Sequence, residues 1–328
     1  MASRPTITSV AERAGVSKSL VSLVMRGAPN VSPARRAAVL RAAEELGYRP
    51  NLAARTLVER RSRTLGALIS DLHNPFFAEV IDGVSAAAEE RGLRLVLGSG
   101  HRAAETEADV VESFLQQDVE GLILLGPALD EATLAIVAAG APTVVVGRRP
   151  ADVDGFDVIV NDDAVGAELA VEHLAGLGHR RIAHIAGSEG GTAAERRAGY
   201  EAAMRRRGLE GEILVAPGDS SEAGGHRGAK ALLDAMPTAI LAYNDLAAVG
   251  ALDALTEAGL DVPGDVSLVG YDNTHLAAIR HISLTSVEQP REQMGRLAVA
   301  ALDEAPTGRV HVLAPRLCVR RSSARPRA

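Results

Sequence analysis

Several side chains that could bind a ligand follow short apolar runs of the sequence. Arg196, Asn244 and Asp272 each come after such a run, and Phe76 and Phe77 follow another in a chain with only four Phe, four Tyr and no Trp. Aromatic rings can form one wall of a cleft, and an arginine can bind hydroxyls or a carboxylate with two hydrogen bonds. These residues together predict a small-molecule site, although each alone could be a surface or helix-capping residue.

Sequence motifs of catalysis are absent or weak. The segment Gly98–Ala103 fits G-x-G-x-x-A, but it follows the second predicted strand rather than the first, so a loop is predicted instead of a nucleotide site. His179 and His184 lack the spacing of a helical metal pair. The only cysteine, Cys318, excludes internal disulfides and is predicted to be buried in the core. We therefore predict no metal, no cofactor and no catalytic residue.

The N-terminal segment predicts three short helices. Thr6 and Ser17 precede apolar residues at helical spacing and are predicted to cap the first two helices. Ser32, followed by Pro33 at the first helical position, is predicted to cap the third. Gly15 lies between the first two helices, and this arrangement is the helix-turn-helix pattern.

Charge is distributed unevenly along the 328 residues. Residues 1–63 carry 12 Lys+Arg and 4 Asp+Glu, whereas the remaining chain carries 23 and 38. A basic head on an acidic body indicates contact with nucleic acid, with a solvated, charged helix as the alternative. Without a secretory signal or a membrane-length apolar run, the sequence favours a cytoplasmic protein that does not contact a membrane.

The rest of the chain predicts an α/β body. Apolar runs alternate with amphipathic helical segments, which favours two lobes, each a parallel sheet flanked by helices. Ligands of such sheets bind at the carboxyl ends of the strands, so a cleft between the lobes is the expected site. The predicted strands are residues 65–69, 93–97, 122–125, 143–146, 182–185, 213–215, 239–242 and 266–269.

Taken together, these segments resemble the LacI/GalR family of bacterial transcriptional regulators. The head carries TITSVAERAGVSKSLVS, VSPARR and LGYRPNLAARTL. The body carries NPFFAEV, GHRRIAHIAG, R-x-x-G-Y, AYNDLAAVGAL, VPGDVSLVGYDN and LTSVEQP, which resemble the type I periplasmic-binding-protein fold. The resemblance covers essentially the whole chain and implies a repressor with a small-molecule effector.

The resemblance also implies a domain organisation. Residues 1–49 would be the helix-turn-helix domain, 50–63 the hinge helix and linker, and 64–328 the effector-binding and dimerisation domain. Lobe one would comprise about 64–160 and about 290–315, and lobe two about 161–289 with the C-terminal segment.

By this resemblance, a homodimer binds a palindromic double-stranded DNA operator. The second helix would enter the major groove, and the hinge helices would pair in the minor groove, where Leu57 would wedge between bases. Leu20 and Leu23 replace the Thr and Arg common in the family, so the operator sequence stays open. The implied DNA-binding residues are Thr6, Ser17, Lys18, Ser19, Leu20, Ser22, Leu23, Asn51, Ala54 and Leu57.

The effector implied by the resemblance is a sugar or related metabolite bound between the lobes. It would change the angle between the lobes and so the operator affinity, as inducer or as corepressor. Ser220 stands where sugar-binding members often carry an aromatic ring, which leaves the identity of the sugar open. The implied contacts are Phe76, Phe77, Arg148, Asn161, Arg196, Asn244 and Asp272.

Two other classes of protein remain as alternatives. A cytosolic or exported sugar-binding protein without gene control would need the body but not residues 1–63. A sugar- or nucleotide-modifying α/β enzyme would need catalytic motifs, and none was found in the sequence.

Overall fold

A computed structural model describes residues 5–49, 61–151, 154–188 and 190–327. The chain divides into two compact units, Met1–Ser62 and Arg63–Ala328. The predicted hinge helix, with Asn51, Ala54 and Leu57, lies outside the described residues.

The first unit contains three helices: α1 (Ile7–Ala14), α2 (Lys18–Met25) and α3 (Pro33–Glu45). The hydroxyl of Thr6 accepts a hydrogen bond from the Ser9 amide and the Ser9 hydroxyl accepts one from the Thr6 amide, which caps α1 reciprocally. Ser17 caps α2 as predicted, by accepting from the Leu20 amide at 3.2 Å. Ser32 holds the N-cap position of α3, but its side chain makes no capping hydrogen bond, so that prediction was wrong in part.

Small apolar side chains form the core of this unit. Val10, Val21, Val24 and Val39 are buried together with alanines of α1 and α3. The turn between α1 and α2 passes through Gly15, whose φ of 65° is left-handed and favours glycine. Sequence periodicity therefore identified the buried face of each of the first two helices.

The second unit contains two six-stranded sheets, and the apolar residues of their central strands are buried on both faces. The strands of the first are β1 (Thr64–Ile69), β2 (Arg94–Ser99), β3 (Gly121–Leu125), β4 (Thr143–Val146), β5 (Asp157–Asn161) and β11 (Val310–Leu313). The strands of the second are β6 (Ile182–Ile185), β7 (Leu214–Ala216), β8 (Ala239–Ala242), β9 (Ser267–Asp272), β10 (Thr285–Glu288) and β12 (Arg316–Cys318).

The two sheets have the same topology. Their strand orders are β2-β1-β3-β4-β5-β11 and β7-β6-β8-β9-β10-β12, and every pairing is parallel except that of β10 with β12. The eight predicted strands are present. Strands β5, β10, β11 and β12 were not among them.

Helices cover both faces of each sheet and make each lobe a three-layer structure. Around the first sheet lie α4 (Pro75–Glu90), α5 (Ala104–Gln116), α6 (Glu131–Gly140) and α12 (Arg291–Ala301). Around the second lie α7 (Asp163–Gly176), α8 (Gly191–Arg206), α9 (Glu222–Leu232), α10 (Asp245–Glu257) and the short α11 (His275–Ala278). We call these lobe one and lobe two.

The chain passes between the lobes at three places. The connections are residue 162 between β5 and α7, residues 289–290 between β10 and α12, and residues 314–315 between β11 and β12. Because each connection has at most two residues, the carboxyl ends of the two sheets are held close to each other.

Cys318 is not the buried core thiol that the sequence predicted. It lies on β12 at the edge of the second sheet, is partly exposed, and its thiol donates a hydrogen bond to Glu288 at 3.0 Å. Burial raises the pKa of this thiol. Within the ranges described above, no helix is both long and apolar enough to cross a bilayer.

Candidate functional site

The predicted effector residues lie near the carboxyl ends of strands in both sheets. Asn161 and Asp272 end β5 and β9, Arg148 and Asn244 follow β4 and β8 by two residues, and Phe76 and Phe77 begin α4. Arg196 lies in the second turn of α8, which follows β6. Because these strands are parallel, the whole set lies on the side of each sheet where the strands have their carboxyl ends.

Arg196 is the centre of a buried network in lobe two. Only 4% of the residue is exposed, and its Nε donates to Asp163 Oδ1 at 2.8 Å. Its Nη1 donates to the Tyr243 carbonyl at 2.7 Å, and its Nη2 lies 3.5 Å from Asp272 Oδ1. The guanidinium carbon is 3.7 Å from the ring centroid of Tyr271, a cation–π contact. The alternative that Arg196 forms only a surface ion pair is therefore wrong.

The charge of Arg196 is stabilised by its surroundings. Burial by itself would lower the pKa of the guanidinium, but Asp163, Tyr243 and Asp272 raise it overall. Arg196 is thus a fixed cation near the carboxyl end of the second sheet, and guanidinium N–H groups suit ligand hydroxyls or a carboxylate.

Asp272 is the acidic member of the same network. Its Oδ1 accepts from Gln289 Nε2 at 2.7 Å. Burial raises the pKa of its carboxyl, although Arg196, Gln289 and Arg291 act in the opposite direction. Its φ of 99° is costly for a residue with a side chain. Backbone strain of this kind persists only where surrounding contacts maintain it.

Asn161 joins the two lobes. It ends β5 in lobe one, and its Nδ2 donates to the Tyr271 hydroxyl of lobe two at 2.9 Å. The residue is 2% exposed, and its Oδ1 has no hydrogen-bond partner among the described residues. An unpaired buried acceptor costs about 1–3 kcal/mol. A ligand hydroxyl could donate to this atom and remove that cost.

Asn244 has a structural partner at each end of its side chain. Its Oδ1 accepts from the Ala247 amide at 2.8 Å and so caps α10, while its Nδ2 donates to the Ser220 carbonyl at 3.1 Å. It is buried beside Arg196, which bonds the carbonyl of the preceding Tyr243. The capping alternative is thus confirmed, and ligand contact stays a prediction.

Arg148 and the two phenylalanines belong to lobe one. Arg148 donates from Nη1 to the carbonyls of Pro127 and Leu129, which fixes the loop after β3. Phe76 is buried in the core of the lobe and meets Phe77 edge to face, with ring centroids 5.2 Å apart. Phe77 is half-buried, so it is the ring with surface left to present to a ligand. Asn74 caps α4 by accepting a hydrogen bond from the Phe76 amide at 3.0 Å.

Sequence reasoning missed four residues of the network: Asp163, Tyr243, Tyr271 and Gln289. Asp163, Tyr243 and Tyr271 lie within two positions of Asn161, Asn244 and Asp272, whereas Gln289 lies in the segment LTSVEQP, in which no site residue was identified. The scarcity of aromatics could have pointed to the two tyrosines. Nothing local signals that Asp163 pairs with Arg196, which is 33 residues away.

In the first unit, α2 presents a polar and apolar surface to solvent. Lys18, Ser19 and Leu23 are exposed, with Leu23 at 39%. Ser22 is partly exposed, and Leu20 packs partly against the core. Ser17 and Thr6 are exposed capping residues of α2 and α1. The residues predicted to read DNA therefore share the start and one face of α2.

Comparisons with known proteins agree for both units. Residues 6–51 match the family of bacterial regulatory proteins named lacI, and residues 171–323 match the periplasmic binding protein-like domain. The HTH-type transcriptional regulator CelR of Thermobifida fusca is 39% identical over 317 residues, 93% of each chain. The ribose operon repressor of Escherichia coli K12 is 37% identical, over 90% of this chain and 92% of that one.

Solved structures support the same assignment. The lac repressor dimer bound to operator and the anti-inducer ONPF has a TM-score of 0.85 and 30% identity, over 98% of this chain and all of that chain. The CelR–cellobiose complex has a TM-score of 0.70 and 35% identity, again over 98% and 100%. Head, body and relatives thus agree along nearly the full length, and the chain belongs to the LacI family of bacterial transcriptional regulators.

Proposed function

We propose that this protein is a repressor that binds a palindromic DNA operator as a homodimer and is controlled by a sugar bound between its lobes. The observation that carries the proposal is the exposed face of α2 in a basic head, with Lys18, Ser19 and Leu23 on its surface. A capped helix that shows polar and apolar groups at its start is suited to the major groove. Two heads are needed for a palindrome, hence the dimer.

On the DNA side, residue roles follow from chemistry and position. Lys18 and Ser19 would read base edges, and Leu23 or Leu20 would contact a thymine methyl group. Ser17, Ser22 and Thr6 would bond phosphates, which positions the helix without specifying sequence. In the hinge, Leu57 would wedge between base steps, with Asn51 and Ala54 beside it.

On the effector side, the site would comprise Phe76, Phe77, Arg148, Asn161, Arg196, Asn244 and Asp272. Their guanidinium, carboxylate and amide groups include both hydrogen-bond donors and acceptors, and the hydroxyls of a neutral sugar require both. The relatives give the same direction, since one is a ribose operon repressor and another was solved with cellobiose. Asn161 Oδ1 is the acceptor that such a hydroxyl would satisfy.

We assign residues 1–49 to DNA binding, 50–63 to the hinge, and 64–328 to effector binding and dimerisation. Within the last part, lobe one would be about 64–160 and 290–315, and lobe two the remainder. A protein that acts on a bacterial operator works in the cytoplasm, where the DNA is. The proposed role is regulation without catalysis, as in the rest of the family.

DNA selection and a sugar screen test the proposal. The intact chain is used to select duplexes from a random pool, and the chain without residues 1–63 serves as the control. We expect palindromic sequences, bound with strong salt dependence because Lys and Arg displace counterions. Selective binding by the truncated chain would contradict the assignment of the head.

The effector is sought by thermal shift with cellobiose, ribose and other sugars. A ligand that binds only the folded protein raises its melting temperature. We expect one sugar to do so and to change operator affinity. A complete lack of response to sugars, together with a shift caused by another metabolite class, would refute the sugar assignment but not the DNA assignment.

A further inference from the structure

The turn that follows β9 is unusual because two consecutive residues with side chains have positive φ. Asp272 has a φ of 99° and Asn273 a φ of 50°. Such a backbone costs about 1–3 kcal/mol for each residue and persists only where other contacts impose it. We call residues 272–275 the Asp272 turn. Its contacts determine where the Asp272 carboxylate points.

From lobe two, a buried carboxylate holds the turn. Asp245 accepts hydrogen bonds from the amide and the hydroxyl of Thr274 at 2.6 and 2.9 Å, and from the Ser286 hydroxyl at 2.6 Å. The Ser286 oxygen in turn accepts from the Asn273 amide at 3.0 Å. A side chain at Gly270 would place its Cβ 2.5 Å from Asp245 Oδ1 and so would force that carboxylate to shift.

From lobe one, an ion pair holds the same turn. Glu79 of α4 and Arg291 of α12 are 2.7 Å apart, between Oε2 and Nε. The other carboxylate oxygen of Glu79 accepts from the His275 amide at 2.9 Å. Arg291 donates from Nη1 to the Asp272 carbonyl. Both ends of the turn are therefore bonded to the opposite lobe.

The two helices that carry this ion pair are in close backbone contact one turn further along. A Cβ on Gly83 would lie 2.3 Å from the Glu292 carbonyl oxygen, and one on Gly295 would lie 2.2 Å from that of Val80. Gly83 follows Glu79 by four residues and Gly295 follows Arg291 by four. The paired side chains therefore project from a helix pair with little freedom to shift, and they are only 28% and 12% exposed.

We infer that Glu79 and Arg291 are positioning residues for the effector site. From lobe one, they hold the Asp272 turn of lobe two. The turn in turn keeps the Asp272 carboxylate next to Arg196. The inference rests on the proposed function, in which Asp272 contacts the effector. Neither residue needs to touch the effector. Effector affinity then depends on a contact between the lobes that lies outside the binding residues.

Glu79→Ala and Arg291→Ala test this role in the full-length protein. Hydrogen exchange of peptides spanning residues 272–278 is measured without effector. Calorimetry measures the affinity for the sugar found in the thermal screen, with cellobiose as the first probe. We expect faster exchange in the turn and about tenfold weaker sugar binding. Glu79→Gln, which keeps an acceptor for the His275 amide, should recover most of the exchange protection.

The matched control is Glu90→Ala on the same helix. Glu90 pairs with Arg296 of α12 at 2.9 Å. The substitution therefore removes an ion pair between the same two helices without changing any contact of the Asp272 turn. It should leave both exchange in 272–278 and sugar affinity unchanged.

The outcomes separate two failures. Unchanged exchange in Glu79→Ala would overturn the inference, whether or not any sugar binds. Faster exchange with unchanged sugar affinity would overturn the positioning role and leave a purely structural contact. A parent protein that binds no sugar would instead refute the proposed effector, while exchange would still decide whether the ion pair holds the turn.

Discussion

The side chains proposed to bind DNA on α2 and those proposed to bind the effector around Arg196 lie in opposite environments. Lys18, Ser19 and Leu23 are exposed, and the head is stabilised by other residues, its buried valines and alanines. Arg196 and Asp272 are 4% and 3% exposed. Arg196 donates to Asp163 and to the Tyr243 carbonyl, Asp272 accepts from Gln289, and the two residues form an ion pair with each other. If the proposed sites are correct, recognition and stability depend on different residues in the head but on the same residues in the body.

Arg196→Ala should show the largest effect, because it leaves Asp163 and Asp272 buried without their cation. Removal of one partner from a buried ion pair destabilises a protein by about 3–5 kcal/mol. Chemical denaturation should show this loss along with loss of the effector response. The control is Arg197→Ala, whose exposed pair with Glu201 should contribute less than about 1 kcal/mol. A similar stability for both variants would show that the network is not a stability element.

Asp272→Asn should have an intermediate effect, because it keeps the shape of the side chain and removes its charge. One oxygen can still accept from Gln289, while the attraction to Arg196 is weakened. We expect effector affinity to fall by about tenfold to a hundredfold, since a mispaired buried polar group costs about 1–3 kcal/mol. Calorimetric titration measures this, and effector-free operator binding should stay intact.

Lys18→Ala should separate the two properties in the head. Operator binding should weaken by about 1–3 kcal/mol, the value of a good base contact. Thermal stability should change by no more than about 0.5 kcal/mol, because the side chain is exposed. Titration of the selected operator and a melting curve measure the two. Arg41→Ala, an exposed change on α3, is the control, and a matching loss of affinity there would indicate a general charge effect.

Asp245→Asn should give the smallest effect, visible as a change in pH dependence. Burial and the nearby Asp272 carboxylate raise the pKa of Asp245 in the folded protein above its unfolded value. Its contribution to stability is therefore full at low pH and is lost as pH rises toward neutral. The melting temperature of the variant should rise relative to the parent between about pH 4 and about pH 7. A constant difference would show that Asp245 does not titrate in that range.

Local signals predicted much of this structure. Thr6 and Ser17 cap helices because a cap depends on residues three positions apart. Continuous apolar runs predicted the interior strands β1, β3, β4, β6, β8 and β9, but not β5 and β10. Strands β11 and β12 were not predicted because they are short, lie at sheet edges and are only partly buried, so their sequences lack a clear pattern. The same edge position explains why Cys318 is partly exposed.

The position of the candidate site could be predicted from the sequence, but the hydrogen bonds and ion pairs among its residues could not. The carboxyl ends of predicted strands identified Arg196, Asn244 and Asp272, since parallel topology places these ends on the same side of the sheet, whereas Asn161 came from the family resemblance. The pairing of Arg196 with Asp163 joins residues far apart in sequence. Glu79 reaches the His275 amide across 196 positions, which only the fold brings together.

The three short connections between the lobes have a mechanical consequence. Because the sheets are joined only at residues 162, 289–290 and 314–315, a change in the angle between the lobes has to be taken up at these short connections, which also limit how far the lobes can separate. An engineered break in one connection, such as new chain ends at 314–315, would leave two tethers and allow a wider range of lobe orientations. In the proposed function, the effect of the effector on operator affinity would then weaken before either lobe lost its own stability.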